Sequence, residues 1–468
     1  MLKNIFTNSF GILFSRVTGF LRDFLQASIL GANIYTDMFI IAFKLPNLFR
    51  RIFGEGAFSQ SFIPTFAKSH QKSVFTVSIL KKFLTILALL TLSVYFFAPY
   101  FTKLMAWGFS WKVIYEAAPL VVINFHYLIL IFSVTFLSAL LQYKGHFATT
   151  AFATALLNIS MITALLLSKG LPAKEIVYNL SFAVVIGGAL QLFVHIIMIK
   201  RLKLDRLLYV GYLKINRGKS RVDSDIKRFK KGFIASILGG STAQISAFLD
   251  GILASFLAAG SISYLYYANR LFQFPLAIFA IATSVAIFPK VAKYLNQEKE
   301  QEARKMLDKS FWILLYLLSF ATTVGIIFSK EIVWLLLERG AFSHHDTIIT
   351  SKVLTMYLVG LLPFGLAKIF SLWLYSTHNQ AKAAKISAIS LGVNIVLALI
   401  LVKLLKVEGL ALAGSFGGFV LFFLTIRYFG IKKFLDILSF KKVAVFFLFL
   451  TITVLLSLFI KGYISAYI

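Results

Sequence analysis

The chain has 468 residues, of which 59% are hydrophobic and 14% charged, with a mean hydropathy of +0.84. A soluble domain is nearer half apolar and about a quarter charged, so this composition excludes a soluble globular protein and indicates a polytopic membrane protein with almost no soluble part. There are no cysteines, which excludes disulfides, thiolate metal sites and thiol catalysis. The net charge of +30 lies mostly in alternate loops, a signature of membrane topology rather than of nucleic-acid binding.

Runs near the ~20 residues that cross a bilayer predict thirteen transmembrane helices, at 5–30, 35–66, 77–106, 118–142, 147–168, 176–199, 232–258, 263–290, 311–337, 348–376, 384–404, 408–430 and 443–461. The first run carries Arg16 and Arg22 and lacks a short clean apolar core, so it reads as a retained span and not as a cleavable signal. The even-numbered loops hold the basic residues: Lys68 and Lys72 with Lys81 and Lys82, Lys382 with Lys385, and Lys432, Lys433, Lys441 and Lys442. The segment 200–231 carries twelve Lys or Arg against three Asp. Positive loops stay in the cytoplasm, which places the N-terminus inside and, with an odd span count, the C-terminus outside. The bland reading of 200–231 is an orientation signal and a solvated connector; a docking surface for anionic lipid headgroups is the alternative.

Two groups of six spans flank this linker and resemble each other. Pro46 matches Pro275, Pro64 matches Pro289, Gly108 matches Gly340 and Asn158 matches Asn394, at separations of 229, 225, 232 and 236 residues. Four matches in order indicate duplication. Six is even, so both halves enter from the same side and form parallel repeats, a common transporter design. The expected organisation is an N-lobe at 1–199, a basic cytoplasmic linker at 200–231, a C-lobe at 232–430 and a C-terminal segment at 431–468 with the thirteenth span.

Charges concentrate in the first two spans. Span 1 reads Ser15-Arg16-Val17-Thr18-Gly19-Phe20-Leu21-Arg22-Asp23; Arg16 and Asp23 share a helix face, with Arg22 about 120° from Arg16. Span 2 holds Asp37, Lys44, Arg50, Arg51 and Glu55, with Pro46 expected to kink it and Arg51 and Glu55 spaced to pair. Charge at bilayer depth costs from about 3 to more than 10 kcal/mol, so such residues pair, lock helices together or line a wet cavity. The arginine excess and the fit of its planar fork to phosphate oxygens favour an anionic, phosphorylated substrate. In span 8, Arg270 stands among Tyr264, Tyr266, Tyr267, Asn269 and Gln273, where the tyrosines suit an interfacial belt. Asp250 in span 7 suits either a coupling cation or proton, or an ion pair with Arg270. Asn158 and Asn394 read as interhelical hydrogen-bond glue. The seven histidines show no metal-ligand spacing, and no Walker loop, Ser-His-Asp set or Asp-rich glycosyltransferase motif is present. Rival classes are a multidrug antiporter, an anion channel and a membrane-embedded transferase; a cationic cargo fits poorly with excess arginine.

Several strings together resemble the MurJ/MviN family of lipid II flippases, within the multidrug/oligosaccharidyl-lipid/polysaccharide exporter superfamily. They are Arg16 to Asp23, Thr36-Asp37-Met38-Phe39, Phe43 to Arg51, Glu55 to Ser59, Tyr266 to Leu271 and Glu338 to Phe342. The resemblance implies an all-α fold of two six-helix lobes forming a V around a central cationic cavity. It implies translocation of the lipid-linked peptidoglycan precursor from the cytoplasmic to the periplasmic leaflet of the bacterial inner membrane. Its substrate-binding arginines correspond to Arg16, Arg22, Arg50 and Arg270, and its cavity acids to Asp23, Asp37 and Glu55. The family has two C-terminal helices that make a lipid-tail groove, where this chain has one span; relatives have acids where Asn269, Gln273 and Asn379 stand here. Asp250 and Asn394 are the candidates for sodium or proton coupling; beyond that and the membrane potential no cofactor is expected. The expected partners are lipid II and membrane lipids, for a monomer. Export of another polyprenyl-pyrophosphate-linked oligosaccharide is the alternative function.

Overall fold

The computed structural model describes residues 2–52, 58–217, 222–240, 242–377 and 379–465. Among the described residues the chain is helical, with no strand. The first unit, Met1–Gln244, contains α1 (Leu2–Leu30), α2 (Ile34–Ile52), α3 (Phe58–Lys68), α4 (Lys72–Met105), α5 (Trp111–Tyr143), α6 (Ala148–Leu167), α7 (Ala173–Arg201), α8 (Asp205–Asn216) and α9 (Asp223–Gly240). Then come α10 (Thr242–Ala254), α11 (Ser261–Pro275), a π-helical segment (Leu276–Ile281), α12 (Ala282–Asn296), α13 (Glu300–Ile327) and α14 (Ser329–Leu337). The chain ends with α15 (His344–Val359), α16 (Leu361–Ser376), α17 (Gln380–Phe429), α18 (Ile431–Leu435) and α19 (Phe440–Ser465); the second unit is Ile245–Ile468.

Among the described residues, helices lie within each of the thirteen expected spans, with two kinds of difference. Nine stretches of the described residues are long and apolar enough to cross a membrane, and one of them, α17, holds two expected spans. The expected spans outside those nine are 5–30, 35–66 and 232–258. Asn4, Asn8 and Arg16 dilute the apolar character of α1, and the other two are divided between α2 and α3 and between α9 and α10. The first two of these spans hold the cluster of Arg16, Arg22, Asp23, Asp37, Lys44, Arg50, Arg51 and Glu55. Within α17, Lys406 leaves the helical region at φ +52°, ψ −126°, at the junction of the two expected spans. A Cβ on Gly409 would stand 2.3 Å from the Leu401 carbonyl oxygen. The turn therefore needs glycine for a close backbone approach, and α17 is two spans joined by a tight reversal.

The linker is largely exposed, as expected, but its described residues are mostly helical. Residues 205–216 form α8, which packs on α4, and 223–240 form α9, which packs on α3. Two features hold them. A Cβ on Gly211 would lie 2.2 Å from the Ser73 carbonyl oxygen, so α8 approaches α4 at backbone distance. Phe229 and Phe233 of α9 enter an aromatic cluster with Phe58, Phe62, Phe83 and Phe132; Phe58 and Phe229 are 5.5 Å apart, and Phe83 stacks on Phe132 at 4.9 Å. Such pairs add about 0.5–1.5 kcal/mol each beyond area burial. The contacts thus assign the linker and α9 to the first unit, and the unit boundary falls at Gln244, past the expected lobe edge at 199.

In the second unit, the single C-terminal span, α19, lies along α13. Ion pairs tether its approach: Arg304–Asp436 at 2.7 Å, Lys433–Glu300 at 2.7 Å and Lys442–Asp308 at 3.0 Å. Lys461 pairs with Glu331 at 3.5 Å near its other end. Between these ends the helix exposes large apolar residues such as Phe447, Leu455 and Phe459, which suits a surface solvated by lipid.

Gly211→Ala should pry α8 from α4. Limited trypsinolysis in detergent should then cut the 200–217 segment several-fold faster than in the unsubstituted protein; an unchanged rate would mean that the close approach is not what holds α8.

Candidate substrate site

Helix α1 is positioned by α6. Asn158 of α6 donates through Nδ2 to the Ser15 carbonyl at 3.0 Å and to Thr18 Oγ1 at 3.2 Å, and the side chain lies 3.4 Å from where a Cβ on Gly19 would sit. Its Oδ1 accepts from Arg22 Nη1 at 3.0 Å. Arg22 in turn donates Nε and Nη2 to Asp23 Oδ1, at 3.0 and 2.6 Å. Both partners are almost fully buried, at 7% and 5% exposure. The guanidinium is therefore held by a carboxylate and an amide at once. This is how a charge persists at bilayer depth, and it makes Arg22 a fixed element of the first unit.

The other predicted residues of this unit sit differently. Arg16 is exposed, on the side of α1 that also exposes Leu13, Val17 and Phe20. Spacing puts it on the face of Asp23, but Asp23 is taken by its chain neighbour Arg22. Arg50 is half-buried near the end of α2, with its Nε donating to Asn47 Oδ1 at 2.9 Å. Asp37 is buried, at 1% exposure, in the first turn of α2. Asn33 caps that turn through Oδ1, which accepts from Tyr35 N and Thr36 N. A carboxylate at a helix N-terminus is favoured by the macrodipole. Pro46 lies inside α2, which continues to Ile52. Glu55 lies outside the described residues, and with it the expected Arg51–Glu55 pair.

One residue escaped the sequence reading. Tyr127 of α5 is fully buried beside Phe43, with ring centroids 6.1 Å apart, and lies within electrostatic reach of Arg50 and Arg22. Its hydroxyl has no hydrogen-bond partner among the described residues. The available signal was a phenol close to Asn124 and His126 in a largely apolar span, which is weak in a chain with 19 tyrosines.

The second unit repeats the scaffold with other chemistry. Asn394 of α17 donates to Ser246 Oγ of α10 at 2.6 Å, as Asn158 binds α1. Both asparagines are interhelical pins at the 236-residue repeat. Asp250 stands on α10 at a separation of 227 from Asp23 on α1, within the repeat's range. No arginine precedes it. Ser246 and Asp250 are one turn apart and share a face of α10. Tyr357 of α15 lies within electrostatic reach of Asp250 and hydrogen-bonds Asn269. Arg270 donates Nη2 to the Tyr266 hydroxyl at 3.2 Å, with its guanidinium carbon 5.1 Å from that ring's centroid. Gln273 donates to Asn269 Oδ1.

Tyr264 and Tyr267 are not belt residues, being buried at 5% and 1% exposure. Tyr264 donates to Asp346 Oδ1 at 2.7 Å, and Asp346 closes a capping box with Ser343 at the start of α15. Tyr267 packs edge-on to Phe342 at 5.7 Å. The string from Glu338 to Phe342 thus anchors the helix that presents Arg270. That helix ends at Pro275, where the π-helical segment begins; such segments are frequent at functional sites. Among the described residues no group of three or more His, Cys, Asp or Glu suits a metal ion.

Removing one side of the buried pair should be costly. Asp23→Ala leaves the Arg22 charge with half its partners, a loss of about 3–5 kcal/mol, and Asn158→Ala should cost about 1–3 kcal/mol. Thermal unfolding in detergent should show both drops, larger for Asp23→Ala; equal melting temperatures for all three proteins would contradict the network.

Comparison with known proteins agrees with this architecture. A family model described as "Lipid II flippase MurJ" matches residues 26–467. A Helicobacter pylori protein named "Probable lipid II flippase MurJ" is 48% identical over 450 residues, covering 94% of this chain and 98% of that protein. The solved structure "Lipid II flippase MurJ, inward closed conformation" superposes with a TM-score of 0.79 at 25% identity, covering 98% of both chains. An inward-facing multidrug resistance MATE transporter of the MOP superfamily has a TM-score of 0.70 at 13% identity, covering 90% of this chain and 95% of that one, a likeness of fold alone. With most of its length matched by the family model and by a relative of this identity, the chain belongs to the lipid II flippase MurJ family.

Proposed function

We propose that this multi-pass membrane protein is a flippase that carries lipid II, the polyprenyl-pyrophosphate-linked sugar–peptide precursor of peptidoglycan, from the cytoplasmic to the periplasmic leaflet of the bacterial inner membrane. The N-terminus is then cytoplasmic and the C-terminus periplasmic, and the working unit is a monomer. The observation that carries the reading is the set of arginines on α1, α2 and α11, one of them locked into a buried Arg22–Asp23–Asn158 network, in a chain whose family is named for this activity.

The chemistry follows from the cargo. Carrying a pyrophosphate through hydrocarbon demands fixed cationic donors, and the arginine fork matches phosphate oxygens two at a time. In this reading Arg16, Arg50 and Arg270 are the arginines that meet the pyrophosphate. Arg22 supplies field from a fixed position. Asp23, Asp37 and Glu55 weaken the site enough for release, since an uncompensated cluster would hold a dianion too tightly. Access then alternates between the two leaflets. The membrane potential, worth about 2.3 kcal/mol per charge per 100 mV, opposes inward return of the anion or drives a cation inward. Asp250, with Ser246 and Asn394 beside it on α10 and α17, is the proposed place for coupling to sodium or a proton. Cationic drugs are poor cargo for such a site.

Complementation tests the assignment. In cells depleted of their own lipid II flippase, Arg16→Ala, Arg50→Ala and Arg270→Ala at normal membrane abundance should fail to support growth. Arg22→Lys should fail as well, because a lysine cannot reach Asp23 and Asn158 together. Growth at the unsubstituted rate in all four would remove the arginines from the mechanism.

A further inference from the structure

Between α4 and α8 lies a cleft of about 310 Å³, lined by Leu80, Lys81, Leu84, Thr85, Tyr212 and Ile215 among others. It has no part in the proposed arginine site. Its depth in the bilayer can be read from the sequence of α4. Between Lys82 and Lys103 there are twenty residues with no Asp, Glu, Lys or Arg, a helical rise of about 30 Å that matches the hydrocarbon core. Lys81 therefore stands at the cytoplasmic boundary, and Leu84 and Thr85 lie just inside the acyl region. The cleft straddles headgroup and tail, with an apolar inner end and a cationic outer end.

The wall supplied by α8 has the same two-sided character. Gly211 seats this helix on α4, while Arg206, Tyr209, Val210 and Lys214 are exposed. Tyr209 and Tyr212 expose 66% and 58% of their surfaces. Basic residues alternating with exposed tyrosine and aliphatic side chains on a short helix at a membrane boundary are the pattern of an interfacial helix. The surrounding segment 200–231 holds twelve Lys or Arg against three Asp, a field that attracts acidic headgroups.

We infer that the cleft between α4 and α8 is a binding site for a diacyl anionic phospholipid of the cytoplasmic leaflet. Its phosphate lies against Lys81, with Tyr212 and Asn216 at the rim, and the start of one acyl chain runs over Leu84 and Thr85. Charge complementarity selects an acidic lipid over a zwitterionic one. The apolar inner end requires acyl chains, so a soluble phosphate ester lacks half of the contacts. An occupant bridging the two helices also ties the linker to the bilayer surface.

Native mass spectrometry of the full chain, released from vesicles of phosphatidylglycerol and phosphatidylcholine in equal amounts, tests this. The unsubstituted protein should retain phosphatidylglycerol in clear preference. Lys81→Gln removes one interfacial charge and should lower that occupancy about fivefold, and Lys81→Arg should restore it. Thr85→Trp should lower it by filling the inner end. Lys403→Gln, an exposed lysine on α17, should leave it unchanged. Equal retention of both lipids, or equal loss in Lys81→Gln and Lys403→Gln, would overturn the site. Melting temperatures of the variants near that of the unsubstituted protein separate loss of the lipid from loss of the fold.

Discussion

The structure depends on the cost of keeping an arginine charge within a bilayer. Isolated, Arg22 would be prohibitive at its depth. With Asp23 Oδ1 accepting two of its N–H groups and Asn158 Oδ1 a third, it is satisfied almost without water. The same asparagine binds the α1 backbone at Ser15. One polar side chain therefore both positions the helix and neutralises its charge. The arrangement fixes α1 against α6, and the exposed Arg16 is presented from that fixed helix.

Duplication supplied the second use of this plan. Asn394 pins α10 as Asn158 pins α1, and Asp250 recurs where Asp23 stands. The copies differ in that Arg22 precedes Asp23 while Leu249 precedes Asp250, which has Tyr357 within electrostatic reach. The same scaffold thus carries an Arg–Asp pair in the first unit and an aspartate with no adjacent arginine in the second. Arg270 enters the second unit on a different helix, borne by a helix that Tyr264 and Tyr267 anchor to the start of α15.

Much of this was legible in the sequence because bilayer thickness sets span length, and because prolines and asparagines repeat at a nearly constant offset. The helical stretches and the role of both asparagines followed from those patterns, whereas spacing set Asp23 on the face of Arg16 and the structure pairs it with its neighbour Arg22. The linker did not. Its charge suggested solvation, and most of its side chains are exposed; its seating on α4 and α3 was decided by Gly211, which permits backbone contact, and by Phe229 and Phe233, one turn apart and facing a phenylalanine cluster. Those contacts are tertiary, and a glycine or two phenylalanines are unremarkable in a chain with 28 and 50 of them. The tyrosines of α11 misled for a related reason: the belt pattern and a buried, hydrogen-bonded row look alike until the partner, Asp346, is known. Tyr127 carried no pattern at all.

The central claim is that fixed arginines carry a lipid-linked pyrophosphate across the membrane. Its most direct test is a leaflet-accessibility assay. Purified protein is reconstituted into liposomes that hold lipid II in both leaflets, and the fraction that a membrane-impermeant reagent can modify is followed in time. The account predicts that modification proceeds beyond the outer-leaflet fraction with the unsubstituted protein, and stops there with Arg270→Ala. Modification that stops at the outer leaflet in both, or runs on equally in both, would contradict it.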